Sequence, residues 1–252
     1  MEVPKINMSK KIIQNISVPV KKLGKRVRAI PYGFGNNRYC PVCKKSSRKF
    51  GKFGRIPRFE ARCMHCLSLE RHRLVWTYLE RKTDLFDGSP KKMLHVAPEQ
   101  GLEKLFKKYL GDGYLSGDLD SPIAMVKMDI TDIKYPDNSF DIIYCSHVLE
   151  HVPKDKQAIF ELYRVLKLRG WAMILVPITV EKTFEDPSVI TPKERLKIFG
   201  QEDHVRRYGQ DFIQILTNAG FKVSKIKAVD FLNDEEINRM RVGSDTIFIC
   251  KK

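Results

Sequence analysis

The sequence has no run of about 18 apolar residues, so no segment reads as a membrane-spanning helix. Behind the charged start MEVPKINMSKK there is no uninterrupted apolar stretch, which argues against a secretory signal and for a reducing, cytoplasmic setting. No internal repeat is present. Cysteine is sparse, with 6 in 252 residues, and thiols in a reducing compartment are metal ligands more often than disulfides. Acid is nearly missing from one end. Residues 1–62 hold 17 Lys/Arg against 2 Asp/Glu, whereas the remainder holds 29 against 28. Such a basic stretch suits an anionic partner such as RNA or another polyanion. Equally, it suits a solubilising tail beside thiolates whose charge needs an offset.

Four of the cysteines carry the strongest local signal. Cys40-Pro-Val-Cys43 and Cys63-Met-His-Cys66 are two Cys-x-x-Cys pairs separated by 19 residues. That is the spacing of a four-thiolate zinc site, closed and therefore structural. Cys145 and Cys250 lie in the apolar runs DIIYCSHV and TIFICKK and read as buried thiols.

The chain divides into a basic arm (1–35, with a short helix around Lys10–Ile16), a four-cysteine zinc module (36–67) and a larger domain (68–252). The module contains a small hairpin in FGKFGRIPRFEARC. In the larger domain, residues 68–90 form a leading helix, capped by Ser68, and a linker. From Lys91, strand-like runs (KKMLHVA, GYLSGDLD, AMVKMDI, FDIIYCS, WAMILVP) alternate with helical ones (LEKLFKKYL, DKQAIFELYRVLK). Helical patterns at PKERLKIFG and GQDFIQILTNAG precede closing strands in FKVSKIKAVDFL and SDTIFICKK. The alternation predicts an α/β fold with a mainly parallel, Rossmann-like sheet, its ligands at the carboxyl ends of the strands. Glu99, Asp118 and Asp129 each follow such a strand, where carboxylates can accept from ribose hydroxyls or an exocyclic amine, and Gly101 permits close backbone approach. An acid after a strand is also a common turn or cap residue.

The stretch DITDIKYPDNSFDIIYCSHVLEHV and the helix end LYRVLKLRGWAMILVP resemble the class I S-adenosylmethionine-dependent methyltransferases, type 11-like, over about residues 90–252. The resemblance implies a seven-stranded methyltransferase sheet. It implies that Asp118 and Leu119 border the ribose, that Asp129 and Ile130 hold the adenine, and that Ser146 and His147 border the methionine end. In place of the family's acidic-x-G-x-G-x-G motif stands His95-Val96-Ala97-Pro98-Glu99-Gln100-Gly101, which keeps only the last glycine; Ala97, Glu99 and Gly101 are its cofactor candidates. Leu168-Arg169 replaces the usual Pro-Gly of the turn.

Methyl transfer to oxygen or nitrogen needs positioning and, for a protonated acceptor, a base. His147, His151 and His204 are the candidate catalytic residues. The segment 180–212 reads as a substrate-binding lid, with Arg195, Arg206 and Tyr208 as acceptor contacts. The expected acceptor is a small molecule or glycan. The alternatives are an RNA methyltransferase recruited through residues 1–62, and a non-catalytic zinc and basic module on a methyltransferase-like fold. An Asn-Pro-Pro-aromatic signature is absent.

Overall fold

The computed structural model describes residues 34–252. The Lys10–Ile16 helix and most of the basic arm lie outside the described residues. The four-cysteine module consists of two hairpins. Strand β1 (Arg38–Cys40) pairs antiparallel with β2 (Lys45–Ser47), and β3 (Gly51–Phe53) with β4 (Arg58–Arg62). The second hairpin falls in the glycine- and aromatic-rich stretch where it was expected.

Helix α1 (Glu70–Lys82) follows directly. Its cap differs from the expectation. Ser68 turns its hydroxyl into the cysteine cluster, 3.1 Å from Cys40 Sγ and 3.2 Å from Cys66 Sγ. The orphan amide of Leu69 donates instead to Nδ1 of His72 (3.1 Å), a reciprocal cap of the kind an N3 side chain can supply. Because Nδ1 accepts, the His72 proton sits on Nε2, a point that matters below.

Beyond α1 the chain runs β5 (Met93–Val96), α2 (Gln100–Leu110), β6 (Tyr114–Asp118), β7 (Val126–Lys127), β8 (Phe140–Ser146), α3 (Asp155–Val165) and β9 (Leu166–Leu175). Residues 178–209 form a small three-stranded sheet, β10 (Ile178–Val180), β11 (Phe184–Glu185) and β12 (Arg206–Gly209), interrupted by α4 (Pro192–Phe199). Thr191 and Glu194 box the start of α4, and Gly200 ends it at φ +91°, the left-handed turn that glycine adopts without cost. Helix α5 (Phe212–Asn218), strand β13 (Lys222–Ile226), helix α6 (Asp234–Met240) and strand β14 (Ile247–Lys251) complete the fold.

The main sheet has the order β13-β14-β9-β8-β5-β6-β7. Strand β14 is antiparallel to both its neighbours; the other pairings are parallel. This is the mainly parallel, Rossmann-like sheet that the alternation predicted, with the seven strands that the resemblance implied. Two expected strands shrink. AMVKMDI keeps only Val126–Lys127, and FKVSKIKAVDFL ends at Ile226, followed by a 3-10 turn at Ala228–Asp230.

The side-chain period of two sends alternate strand residues into two cores. Leu94, Ile143, Cys145, Ile174 and Cys250 pack with α3 and α5. Met93, Ile142, Tyr144 and Met173 face the other way and pack with Trp76 and Leu79 of α1 and Phe106 of α2. Cys40, Val42, Phe50 and Cys63 belong to that second core. The four-cysteine module therefore shares its hydrophobic core with the sheet and is not a separate bead. Arg73, fully buried in α1, strengthens the junction. Its guanidinium donates to the carbonyls of Ala61 (3.0 Å) and Ser68 (3.0 Å) on the module side, and to Met240 (2.5 Å) and Arg241 (2.9 Å) at the end of α6.

Candidate active site

The carboxyl ends of β5, β6 and β7 open into a cleft of about 420 Å³. Ala97, Asp118, Leu119, Asp129 and Ile130, all cofactor candidates, line it. Asp118 Oδ1 accepts from the amides of Asp120 (2.8 Å) and Ser121 (2.6 Å). Asp129 Oδ1 accepts from the amide and the hydroxyl of Thr131, both at 2.8 Å. Those hydrogen bonds hold the Asp129 carboxyl below the usual carboxylate range. Each acid is thus a turn residue as well as a cleft residue. One oxygen fixes the local turn, which orients the carboxylate, and Oδ2 has no partner among the described residues. Ala97 bends at φ +51° and its amide donates to Gly117 O (2.9 Å). Sequence reading missed the opposite wall, Val148, Val152, Pro153 and Lys154. They directly follow the Ser146-His147 motif, and that adjacency is the signal that could have found them.

Glu99 does not join this cleft. Its Oε1 accepts from Arg71 Nε (3.1 Å) and Nη2 (2.7 Å) and from His72 Nε2 (2.7 Å), and its Oε2 from Tyr144 Oη (3.0 Å). The side chain is 13% exposed. With four donors on two oxygens the carboxylate is spent inside the protein, and Arg71 and His72 hold it far below the usual range against the cost of burial. Its role is to tie α1 to the β5–α2 turn. At Gly101 a Cβ would meet only Cys66 O at 3.9 Å, so no neighbouring protein atom requires glycine there. Ser146 is buried at the end of β8 and does not line the cleft.

A second cleft, about 580 Å³, lies on the other side of the 146–154 segment. His147 and His204 line it, whereas His151 lines the cofactor-side cleft. The walls come from six separate stretches: Phe53 to Arg58 of the four-cysteine module, Glu70 and Arg71 of α1, His147, Pro177 and Thr179, residues 199–207, and Gly243 to Asp245. His147 sits at φ +56° with Nδ1 3.3 Å from Glu150 Oε1. His151 Nδ1 is 3.2 Å from Asp203 Oδ2. The His151 and His204 rings meet edge to face, centroids 4.7 Å apart. Burial, with His151 alongside, lowers the His204 pKa.

Of the three acceptor-contact candidates, only Arg206 lines this cleft. Arg206, 2% exposed, donates to the carbonyls of Leu149 (2.9 Å), Val152 (2.5 Å) and Pro153 (2.9 Å) and pairs with Glu185 (3.0 Å). It is consumed in fixing the wall between the clefts. Tyr208 is fully buried and donates to Asp155 Oδ2 (2.6 Å), so it cannot touch an acceptor. Arg195 donates to Val189 O (3.3 Å) and lies outside the cleft. Arg71, Arg207 and Asp245 also line the cleft; Arg71 and Asp245 lie far from the 180–212 segment in sequence, and only the tertiary fold brings them to it.

In the N-terminal module, the ligand atoms of Cys40, Cys43, Cys63 and Cys66 lie within 4.8 Å of one another. Cys40 and Cys66 Sγ are 3.6 Å apart, Cys43 and Cys63 Sγ 3.8 Å. Disulfide sulfurs would be bonded at about 2.05 Å. A tetrahedral zinc with Zn–S of about 2.3 Å places its sulfurs about 3.8 Å apart, so the four thiols fit that ion. His65 contacts Ser46 O (3.2 Å) and stands outside the set.

Residues 90–174 match the family described as a methyltransferase domain. A 2-methyl-6-phytyl-1,4-hydroquinone methyltransferase from Oryza sativa is 27% identical over 147 residues, 57% of this chain and 37% of that protein. A sterol 24-C-methyltransferase from Neurospora crassa is 40% identical over 52 residues, 21% of this chain and 14% of its own length. The chain thus spans well under two thirds of these relatives. Among solved structures, an S-adenosylmethionine-dependent methyltransferase from Mesorhizobium loti superposes with a TM-score of 0.50 at 13% identity, covering 71% of this chain and 98% of that one; at that identity the likeness is one of fold. The family match falls on residues 90–174, the stretch that supplies strands β5 to β9 of the main sheet.

Proposed function

We propose that this protein is an S-adenosylmethionine-dependent methyltransferase acting on oxygen or nitrogen of a small-molecule acceptor. The observation that carries the reading is the pair Asp118 and Asp129, each with one oxygen locked in its own turn and the other open at a strand's carboxyl end. Asp118 Oδ2 is placed to accept from ribose hydroxyls and Asp129 Oδ2 from the adenine amine, with Leu119 and Ile130 as apolar walls. When bound, the cofactor supplies a methyl group already activated on a sulfonium, so the protein's tasks are alignment and proton removal. His147 and His204 border the second cleft, where an acceptor would face them across the 146–154 wall. The volume of that cleft is typical of a small-molecule site, about 300–1,000 Å³. Among the described residues, no helix is long and apolar enough to cross a membrane.

The four-cysteine cluster is proposed as a structural zinc site. Four thiolates leave no open coordination position, and the module's contribution is architectural: it supplies one wall of the acceptor cleft. The test of the whole reading is calorimetric titration of S-adenosylmethionine. Charge-assisted hydrogen bonds of about 1.5–3 kcal/mol predict roughly 10- to 150-fold weaker binding in Asp118→Ala and in Asp129→Ala. Unchanged affinity in both variants would sink the assignment.

A further inference from the structure

We propose that Glu150, His151 and His204 form a second divalent-metal site, of the imidazole and carboxylate class, at the junction of the two clefts. One ligand atom from each lies within 4.8 Å of the others. The ring geometry agrees. An imidazole bonded at about 2.1 Å has its centroid about 3.2 Å from the ion, so two of them at angles between 90° and 109° bring centroids to about 4.5–5.2 Å. His151 and His204 are 4.7 Å apart at an interplanar angle of 83°.

Two buried atoms here have no partner. Glu150, 1% exposed, leaves Oε2 without a hydrogen bond, and His204, 5% exposed, leaves Nε2 without one. Unsatisfied buried polar groups cost about 1–3 kcal/mol each and call for an explanation. Glu150 Oε2 and His204 Nε2 belong to one cluster yet make no hydrogen bond to each other. A cation satisfies both at once. The remaining sides of the ligands are already oriented. Asp203 Oδ2 faces His151 Nδ1 at 3.2 Å, leaving Nε2 to bind, and His147 Nδ1 faces Glu150 Oε1 at 3.3 Å, leaving Oε2. Carboxylate–imidazole pairs of this kind set ligand tautomer and direction at metal centres. The frame is built without the ion as well. Val205 N donates to Glu150 O (3.0 Å), and Arg206 grips the carbonyls of Leu149, Val152 and Pro153.

Two nitrogens and one oxygen suit Zn²⁺, Co²⁺, Fe²⁺ or Ni²⁺ and leave a coordination position open. His204 lines one cleft and His151 the other, so the ion would stand between a bound acceptor and a bound cofactor. A hydroxyl oxygen bound to the ion would lose its proton at lower pH, the proton passing to solvent or to His147. This role rests on the methyl-transfer reading; the binding of metal does not.

The test uses the full chain loaded with zinc at the cysteine site, then titrated with Co²⁺ and Zn²⁺. A further equivalent is expected at micromolar free metal, its Co²⁺ spectrum free of thiolate charge-transfer absorption. Glu150→Gln and His151→Ala/His204→Ala should weaken that equivalent at least about tenfold and leave the cysteine-bound ion in place. If the double variant does not fold, the near-isosteric Glu150→Gln still decides, because added Zn²⁺ should raise the melting temperature of the natural protein and not of this variant. Uptake of only the cysteine-site ion, binding only at millimolar metal, or a second equivalent that survives in Glu150→Gln would overturn the proposal. S-adenosylmethionine affinity measured alongside separates failure of this site from failure of the methyl-transfer reading.

Discussion

Replacing Glu99 tests whether the helix that follows the four-cysteine module and the methyltransferase core are fastened by one carboxylate. Glu99→Ala removes the acceptor for Arg71, His72 and Tyr144 together. It takes from the Arg71 guanidinium, 23% exposed, its ion-pair partner at 2.7 Å, leaving only the weaker attraction of Asp245. Breaking a pair of this kind costs about 3–5 kcal/mol. Glu99→Gln separates charge from hydrogen bonding. Because Leu69 N–H fixes the His72 tautomer, the glutamine oxygen must face Arg71 and His72, and its amide can then donate to Tyr144 Oη. The hydrogen bonds survive with a neutral acceptor, each weaker by about 1 kcal/mol, offset in part by no longer burying a charge; a net loss of about 2 kcal/mol follows. With a urea m-value of roughly 2–3 kcal/mol/M, the midpoint should fall by about 1.5–2 M for alanine and by under about 1 M for glutamine. Acid supplies a second readout. The folded carboxyl titrates far below its unfolded value, so its stabilisation is fully present above the ordinary glutamate range near about 4.3 and is lost as pH falls below it. Between pH 7 and pH 3, Glu99→Gln should lose less stability than the natural protein. An alanine midpoint within about 0.3 M of the natural one, or an unaltered acid slope in the glutamine variant, would refute the fastening role.

Arg73→Met removes four donations to backbone carbonyls at the same junction and should cost about 4 kcal/mol by chemical denaturation, since the acceptors stay buried. Cys40→Ser should abolish the thiolate charge-transfer bands of the Co²⁺-substituted cysteine site. Gly113→Ala should destabilise by roughly 2–3 kcal/mol, because its Cβ would stand 2.1 Å from Lys91 O, where backbone must move. Tyr208→Phe should cost about 1–2 kcal/mol by removing the hydrogen bond to Asp155 Oδ2, which then keeps only Arg206 Nε at 3.5 Å, with no effect on acceptor KM.

Much of the architecture was legible because its signals are local. Strand and helix runs alternate within about a dozen residues, and the Cys-x-x-Cys spacing is a pattern of types. Asp118 and Asp129 could be placed because a strand's end is visible in the sequence. Glu99 could not, because Arg71 and His72 lie 28 and 27 residues upstream and local sequence does not say which charges meet. Arg206 and Tyr208 sit in a polar, aromatic segment that reads as surface, yet β12 carries both into the interior. Helix α6 went unread although Asn233 and Glu236 form a capping box in LNDEEINRM; at seven residues it is too short for its apolar period to stand out.

The discontinuous wall of the second cleft also bears on how this chain could diversify. The residues lining the cofactor cleft all fall within 96–154, whereas those lining the other cleft are drawn from 53–71, 147, 177–207 and 243–245. On the proposed function, acceptor choice and cofactor binding are therefore written in largely separate text. A lineage could retune its acceptor by altering the β3–β4 hairpin or the 243–245 loop without disturbing the cofactor cleft. Conversely, transplanting residues 90–174 alone into another scaffold would carry the cofactor cleft across and leave most of the acceptor wall behind.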